Sequence, residues 1–468
     1  MRQKTVIDAL ADGYLAQLAA NYPSFATSIG FASGAADMDD YSPSAIERDL
    51  ELNQSTLAKL QAMEPEDDVD QVTKDALSQQ LQLDIEFHKA GLPYRDLNNI
   101  ASPAQGIRDV FDLSPTASIT DWENLASRMR KVKDSLAGYQ QTLAIGFEKN
   151  DGPARRQLEE VITQVAQINQ PEGFFHEFAK GATADTELPS SLREELVAAA
   201  SVATAAYAAF GEFLKSMLPK ASEKDAIGRE RYRLLSKRFL GAEIDLDETY
   251  QWGIEELARV VAEQEAVANE ILPGASVAEA IAHLENDPTT KLHGTDELQK
   301  WMQRLSDKAI EDLGKTHFDI AEPLRKLECM IAPTKHGGIY YTGPSDDFSR
   351  PGRMWWSVPE GVETFDTWRE TTTVYHEGVP GHHLQVAQAT YIRDTLNDWR
   401  RLASWTSGHG EGWALYAERL MDELGYLATP ADRLGMLDGQ RMRAARVVLD
   451  LGVHLGKPKL DGSGVWDF

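Results

Sequence analysis

The chain has 468 residues, of which 47 are basic and 74 acidic, so its formal net charge at pH 7 is −27. Proteins that bind nucleic acid or an anionic membrane surface need a basic face to contact phosphate groups. The sequence contains no run of lysine or arginine that would provide such a face, so both kinds of partner are disfavoured. Apolar residues make up 42% of the chain, which is ordinary for a protein that buries a core.

Three features bear on the location of the protein. Cys329 is the single cysteine, which excludes an intrachain disulfide and a cysteine-based zinc cluster. Residues 1–15 lack the apolar stretch of a signal peptide. The most apolar run, Leu196–Phe210, is shorter than the roughly 20 residues of a membrane span and predicts a buried helix. We therefore expect a cytoplasmic protein with no membrane segment in these residues, an expectation that a preceding leader would change.

Apolar residues that recur every three or four positions predict helices along most of residues 1–325. Ser42 before Pro43, and Asp245 three residues before Glu248, are typical of helix N-termini. Irregular connections are predicted at 92–120, where proline and glycine are frequent, and at 170–189. The predicted helices cover residues 7–18, 43–64, 72–88, 122–169 with a break near 151–153, a stretch ending at 218, 225–239, 245–271, 276–284 and 295–313.

The composition changes between Glu328 and Pro359, where isoleucine, tyrosine, tryptophan, glycine and proline predict two or three short strands with turns. Helical spacing returns from Phe365 onward. The predicted fold class is therefore mainly α, a large multi-helix fold with a small β-strand insert. We expect residues 1–325 to form a helical domain that contributes much of a cleft. Residues 326–468 would carry the strand insert and the metal-binding helices, as the second lobe of one continuous unit.

The residues that indicate chemistry begin at His376. In a zincin, two histidines four residues apart on a helix bind Zn²⁺, and a glutamate beside the first acts on the bound water. Here Glu377 follows His376, but the Pro380–Gly381 pair stands where the second histidine is expected. On a straight helix His382 would point away from His376, and His383 would share its face about 10.5 Å along the axis. Because proline kinks a helix and glycine permits unusual dihedral angles, a bulge at this pair could bring His382 beside His376. The choice between the two histidines stays open.

A second segment supplies acidic residues. Glu411 and Glu418 are seven residues apart, hence on one face of a helix. Two histidines and one glutamate leave a fourth zinc position for water, as a catalytic zinc needs. We predict Zn²⁺ ligation by His376, His382 and Glu411, with Glu377 as the base and Glu418 orienting a ligand histidine. The expected fold is therefore zincin-like, with the β-strand insert near the metal site. The alternative is a pair of polar helices whose side chains satisfy one another. Small residues would let this helix pack close to the first: Gly408, Gly410, Gly412 and Ala414.

With these residues, the sequence resembles the bacterial family known as domain of unknown function 885. The resemblance rests on His-Glu-Gly-x-Pro-Gly-His-His-x-Gln at 376–385 and Glu-Gly-Trp-Ala-x-Tyr-x-Glu at 411–418. Smaller matches are Pro23, Ala26, Thr27, Gly30, the Ser349–Gly352 turn after Tyr340 and Tyr341, Arg446, Asp450 and His454. The resemblance implies a mostly helical zinc-peptidase-like protein, similar to helical oligopeptidases and carboxypeptidases, with a deep channel between two lobes. The resemblance implies that family members continue past the His454 region with a further helix, so some groups that bind the substrate or the oxyanion are not expected within residues 1–468.

The predicted function is a zinc-dependent hydrolase of peptide or small amide bonds, of the oligopeptidase or carboxypeptidase type. A tetrahedral oxyanion needs a second donor besides zinc, and the candidates in order of preference are Tyr341, Tyr340 and His454. The alternatives are strand packing for the tyrosines and a core or capping role for His454. The strand that carries the tyrosines would suit an edge strand that pairs with a substrate backbone. Two rival functions stay open: a non-catalytic helical peptide-binding protein with a degenerate metal site, and a metal-dependent amidase or esterase.

Overall fold

The structure is a computed structural model, and it describes residues 2–185, 188–332 and 338–466. This part of the chain is mainly α, as the sequence predicts. The helices are α1 (Val6–Asn21), α2 (Pro23–Ser28), α3 (Pro43–Gln61), α4 (Asp68–Lys89), α5 (Pro103–Leu113), α6 (Ile119–Glu148), α7 (Arg155–Ile168), α8 (Phe174–Asp185), α9 (Ser190–Met217), α10 (Arg229–Leu240), α11 (Leu246–Ile271), α12 (Val277–Glu285), α13 (Gly294–Thr316), α14 (Thr367–Glu377), α15 (His382–Tyr391), α16 (Asp398–Leu402), α17 (Ser407–Glu423) and α18 (Pro430–Leu455). The strands are β1 (Lys291–His293), β2 (Leu327–Ile331), β3 (Ile339–Thr342), β4 (Gly352–Trp356) and β5 (Thr364–Asp366).

Side-chain caps start several of the predicted helices. The Ser42 side chain accepts a hydrogen bond from the backbone N–H of Ala45 at the start of α3. The Asp245 carboxylate accepts from the N–H groups of Asp247 and Glu248 at the start of α11. These bonds satisfy backbone donors that have no partner inside the helix, which is why such residues mark helix starts.

Two helices, α5 and α8, lie where the sequence predicts irregular connections. Pro103 is the first residue of α5, where its missing N–H is not needed, and Ser102 and Gln105 form a capping box before it. In α8, Phe175 and Ala179 are buried in a hydrophobic core. Tertiary packing therefore stabilises a helix in a segment whose own sequence pattern only weakly predicts one.

The described chain forms two compact units. The first unit consists of Gln3–Ile227 and Asn397–Ser404. Helices α6, α7 and α8 pack against α9 and enclose a large apolar core. By length and composition the helix Ser190–Lys220 could cross a membrane. Its residues Leu196, Tyr207 and Phe210 are buried in this core, as the sequence predicts for a buried helix.

The second unit consists of Gly228–Leu396 and the chain from Trp405 onward. Helix α18 packs against α11 and α14, and α14 also packs against α17. The division thus falls at 227/228, whereas the sequence predicts it at 325/326. The physical reason is the long α11–α18 contact, which joins residues before 325 to the C-terminal helices.

A three-stranded sheet precedes the metal-motif helices in the second unit. Strand β4 lies in its centre, parallel to β2 and antiparallel to β3. The sequence predicts two or three strands here, and all three are present. Strand β3 is an edge strand and contacts α14. Strands β1 and β5 form a separate antiparallel pair, and Asp366 at the end of β5 is the N-cap residue of α14.

Candidate metal centre

A break in the helix path brings two histidines together. Helix α14 ends at Glu377 and α15 begins at His382, so Gly378–Gly381 form a non-helical link. A Cβ on Gly381 would lie 1.9 Å from the carbonyl oxygen of His376, so only glycine fits there. The imidazole rings of His376 and His382 end with centroids 4.9 Å apart and planes at 89°. The sequence predicts a bulge at this place, and the structure has a complete break with the same result.

Both imidazoles face one carboxylate. Nε2 of His376 lies 3.4 Å from one oxygen of Glu411, and Nε2 of His382 lies 3.6 Å from the other. Candidate ligand atoms of His376, Glu377 and His382 also lie within 4.8 Å of one another. The structure therefore brings together the three predicted ligands and the predicted base. Both histidine side chains are about nine-tenths buried, whereas the Glu411 side chain is 53% exposed, so the cluster is open on that side.

Glu418 fixes the first histidine. Its side chain is 1% exposed and accepts hydrogen bonds from His376 Nδ1 and Thr372 Oγ1, both at 2.8 Å. Arg443 Nη1 lies 3.5 Å from the same carboxylate. When the ring is neutral, a proton held on Nδ1 leaves the Nε2 lone pair of His376 directed at the cluster, which is the tautomer that a metal ligand needs. This is the orienting role predicted for Glu418.

The neighbouring histidine has both ring nitrogens occupied. Nε2 of His383 donates to the carbonyl oxygen of Leu324 at 2.8 Å, and Nδ1 accepts from the Tyr341 hydroxyl at 2.9 Å. The ring is 1% exposed. His382, rather than His383, is therefore the histidine available for a metal. The Tyr341 hydroxyl has a partner in His383, and its role as an oxyanion donor stays a prediction.

The other two oxyanion candidates have contacts of their own. The ring of Tyr340 stacks on Trp355 at 6.2 Å and is 40% exposed. The ring of His454, in the last turn of α18, packs on Tyr232 at 5.4 Å, and its Nε2 lies 3.6 Å from Asp450. These contacts match the packing alternatives named for both residues, and their catalytic roles also stay predictions.

Burial and mutual charge shift the acidities of the cluster. Burial raises the pKa of Glu377 to about 7, although the charge of His376 opposes the shift. Burial lowers the pKa of His376, but hydrogen bonds to Glu411 and Glu418 outweigh it and raise that pKa to about 9. Burial and the charge of His376 lower the pKa of His382. The hydrogen bond from His376 lowers the pKa of Glu411.

These residues fit a divalent cation. Oε2 of Glu377 and Nδ1 of His382 are both buried, and neither has a hydrogen-bond partner in the described part of the chain. Glu377, Glu411 and Glu418 bring three carboxylates to a site that Arg443 also reaches, so a divalent cation would offset their repulsion. Two imidazole nitrogens with a carboxylate oxygen form the donor set of catalytic zinc. His376, His382 and Glu411 would hold Zn²⁺.

Helix α17 packs against α14, as predicted, but two of its small residues approach other neighbours. A Cβ on Gly408 would lie 2.8 Å from the Cα of Leu240, and a Cβ on Gly410 would lie 2.2 Å from the ring of Trp405. Gly412 has open space around it. The two close approaches thus involve α10 and Trp405 rather than α14. Of the four small residues, Ala414 is fully buried.

Sequence reasoning missed three neighbours of the site. Thr372 precedes His376 by one helical turn, so its contact with Glu418 could have been inferred from spacing. Arg443 and Trp405 carry no local signal. Arg443 reaches Glu418 from α18, and the Trp405 ring lies 6.4 Å from that of His382.

Comparisons with known proteins agree with this fold. A crystal structure from Colwellia psychrerythraea matches with a TM-score of 0.83 and 22% identity, over 96% of this chain and 83% of that one. A structure from Shewanella oneidensis matches with a TM-score of 0.72 and 16% identity, over 98% of this chain and 85% of that one. Both are described as putative lipoproteins, and the second as one of unknown function. At these identities the likeness shows the fold alone.

No curated protein matches the sequence. The sequence model of the family described as "Bacterial protein of unknown function (DUF885)" matches residues 23–467. Because this match spans nearly the whole chain, including both metal-motif segments, the protein belongs to the DUF885 family of bacterial proteins.

Proposed function

We propose that this protein is a zinc-dependent hydrolase that cleaves peptide or small amide bonds. The observation that carries the proposal is the buried Glu377 carboxylate, which has an unpartnered oxygen beside two imidazoles and a carboxylate that converge. A zinc site with a purely structural role needs no base beside its ligands. It also has four protein ligands, whereas His376, His382 and Glu411 leave one position open.

When bound, zinc would supply a Lewis acid that acidifies a water molecule and polarises a substrate carbonyl. The chain supplies the proton transfers. Glu377, whose buried carboxylate has an unpartnered oxygen beside the cluster, would take a proton from that water and later release it to the leaving amine. Glu418 holds His376 in the required tautomer throughout.

Two features favour an extended peptide as the substrate. Strand β3 is an edge strand next to α14, so its outer backbone groups can pair with an extended chain. The exposed side of Glu411 gives the cluster an open approach. The same arrangement of motif helix, edge strand and third ligand on a later helix supports a zincin-like fold, which is part of this proposal.

The central test is Glu377→Gln. Zinc content should remain normal, because the ligands are intact. Hydrolysis of a mixed peptide library should fall by about 10²–10⁴-fold, because the base is lost. Glu360→Gln, at an exposed position ahead of α14, is the matched control and should retain activity. Unchanged hydrolysis in Glu377→Gln would refute the mechanism. Zinc binding without hydrolysis in the wild type would favour the non-catalytic peptide-binding alternative.

The names of the two similar structures bear on location. A lipoprotein is anchored to a membrane outside the cytoplasm, so these names favour such a location over the predicted cytoplasmic one. We extend the extracytoplasmic location to this protein as part of the proposal. Fractionation of cells that express the full gene should recover it with membranes or in the secreted fraction. Recovery in the cytosol alone would restore the original prediction.

A further inference from the structure

An exposed tryptophan lies beside the second histidine. The indole of Trp405 has its ring centroid 6.4 Å from that of His382, and the residue is 57% exposed. The ring rests on the backbone of Gly410, where a Cβ would lie 2.2 Å from it. The site for a side chain at 410 is therefore filled by the indole, which fixes the ring next to the cluster.

Two further aromatic residues lie on α17, which begins two residues after Trp405. The indole N–H of Trp413 donates to the carbonyl oxygen of Pro380 at 2.8 Å. The ring of Tyr416 packs on Trp413 at 5.8 Å and is 54% exposed. We call Trp405, Trp413 and Tyr416 the aromatic rim. Its members contact His382 and Pro380, so the rim is continuous with the segment that carries the second ligand.

We propose that the aromatic rim is a substrate subsite that binds an apolar, preferably aromatic, side chain next to the bond that is cut. This inference rests on the proposed function and adds a specificity to it. Packing accounts for Trp413, whose indole N–H anchors the link between α14 and α15. It does not account for Trp405, which is 57% exposed beside His382, or for Tyr416, which packs on Trp413 and is 54% exposed.

The chemistry of the rim selects the ligand. Aromatic rings stack on other rings in offset or edge-to-face arrangements and gain from the area that they bury. The exposed rings of the rim offer a carboxylate no charged partner, so an acidic substrate side chain would lose water of hydration there without compensation. Phenylalanine, tyrosine, leucine and methionine side chains should therefore be preferred over aspartate and glutamate.

The test uses metal-binding probes, so that it does not depend on turnover. Zinc-loaded protein is titrated calorimetrically with N-acetyl-phenylalanine hydroxamate and N-acetyl-alanine hydroxamate. The wild type should bind the phenylalanine compound about tenfold more tightly or better, as expected for filling an apolar site. Trp405→Ala should abolish this preference while it retains zinc and its affinity for the alanine compound. Trp252→Ala, which removes a tryptophan of similar exposure on α11, is the matched control and should keep the preference.

The outcomes separate the two proposals. Equal affinity of the wild type for both hydroxamates, or an unchanged preference in Trp405→Ala, would overturn the subsite. A preference for phenylalanine with no cleavage of any peptide would uphold the subsite and refute the hydrolase. If Trp405→Ala loses zinc or unfolds, Trp405→Leu and Tyr416→Ala replace it. A weakened preference in either would support the subsite, and an unchanged preference in both would refute it.

Discussion

Two adjacent histidines have opposite roles because their ring nitrogens have different partners. His382 directs Nε2 at Glu411, whereas both nitrogens of His383 are bonded inside the protein. His382→Asn should therefore abolish zinc binding and change the stability of the metal-free protein little. His383→Asn should keep zinc and lower the free energy of unfolding by about 1–3 kcal/mol, because the Leu324 carbonyl and the Tyr341 hydroxyl lose their partner.

Zinc content by atomic absorption and urea unfolding of the metal-free variants measure the two effects. The reverse pattern, with zinc lost in His383→Asn and retained in His382→Asn, would exchange the two assignments.

Glu418 accepts the Nδ1 proton of His376 and thereby sets the tautomer of that ring. Replacing Glu418 therefore tests the metal centre without removing a ligand. Glu418→Gln keeps an oxygen that can accept from Nδ1 but removes the charge that makes Nε2 a stronger ligand. Zinc affinity should fall about 10–100-fold. Chelator competition measures this affinity, and Glu423→Gln, at an exposed position on the same helix, is the control. Equal affinity in Glu418→Gln and Glu423→Gln would show that Glu418 serves packing alone.

Among contacts of single residues, the sequence predicts those that follow from spacing along one helix. The Glu411–Glu418 interval places both carboxylates on one face, and both reach His376. The partner of Tyr341 could not be predicted, since it depends on how a strand lies against α15. Arg443 on α18 contacts Glu418 on α17, and a contact between two helices produces no periodicity in the sequence from which it could be predicted.

The relative position of His376 and His382 depends on the link between α14 and α15. Gly381 in this link tests that dependence, and Gly412 in α17 serves as the control. Gly381→Ala would place Cβ 1.9 Å from the His376 carbonyl oxygen, so the link must shift and move His382. We expect loss of zinc and destabilisation of at least about 1–3 kcal/mol. Gly412→Ala lies inside α17 in open space and should stabilise the protein by roughly 0.5–1 kcal/mol.

Urea unfolding and zinc content of both variants check this contrast. Normal zinc binding in Gly381→Ala would mean that the link can relax without moving the ligand.

Element boundaries were predictable where a cap starts the helix, as at Ser42 and Asp245. They were not predictable where tertiary contacts decide. Helix α8 has a weak local signal and is stabilised by packing against α9. The division of the chain at 227/228 follows from the α11–α18 contact, whose partners are far apart in sequence.

At the scale of the whole molecule the net charge is −27, and several arginines that lie near the motif in sequence are engaged away from the cluster. Arginines near the motif in sequence pair with acids elsewhere: Arg353 with Glu328, Arg369 with Glu285 and Arg393 with Asp346. These pairs are partly exposed and contribute little to stability. In the described part of the chain, Arg443 is the arginine that reaches Glu418, beside the carboxylates of Glu377 and Glu411.

A protein with this excess of acids should also respond to pH through acids that are partly buried. Burial raises the pKa of Glu370 on α14 to about 7 from the ordinary 4.5, and Arg369 opposes the shift. The folded state then binds more protons than the unfolded state between these values, so this residue lowers stability as pH rises from about 4.5 to 7.

Glu370→Gln removes this destabilisation, because the amide does not ionise. The free energy of unfolding should be unchanged near pH 4 and higher than the wild type by up to about 3 kcal/mol at pH 8. Urea unfolding of metal-free protein across this range measures the difference, with exposed Glu363→Gln as the control. An equal gain at pH 4 and pH 8 would assign the effect to packing instead of ionisation.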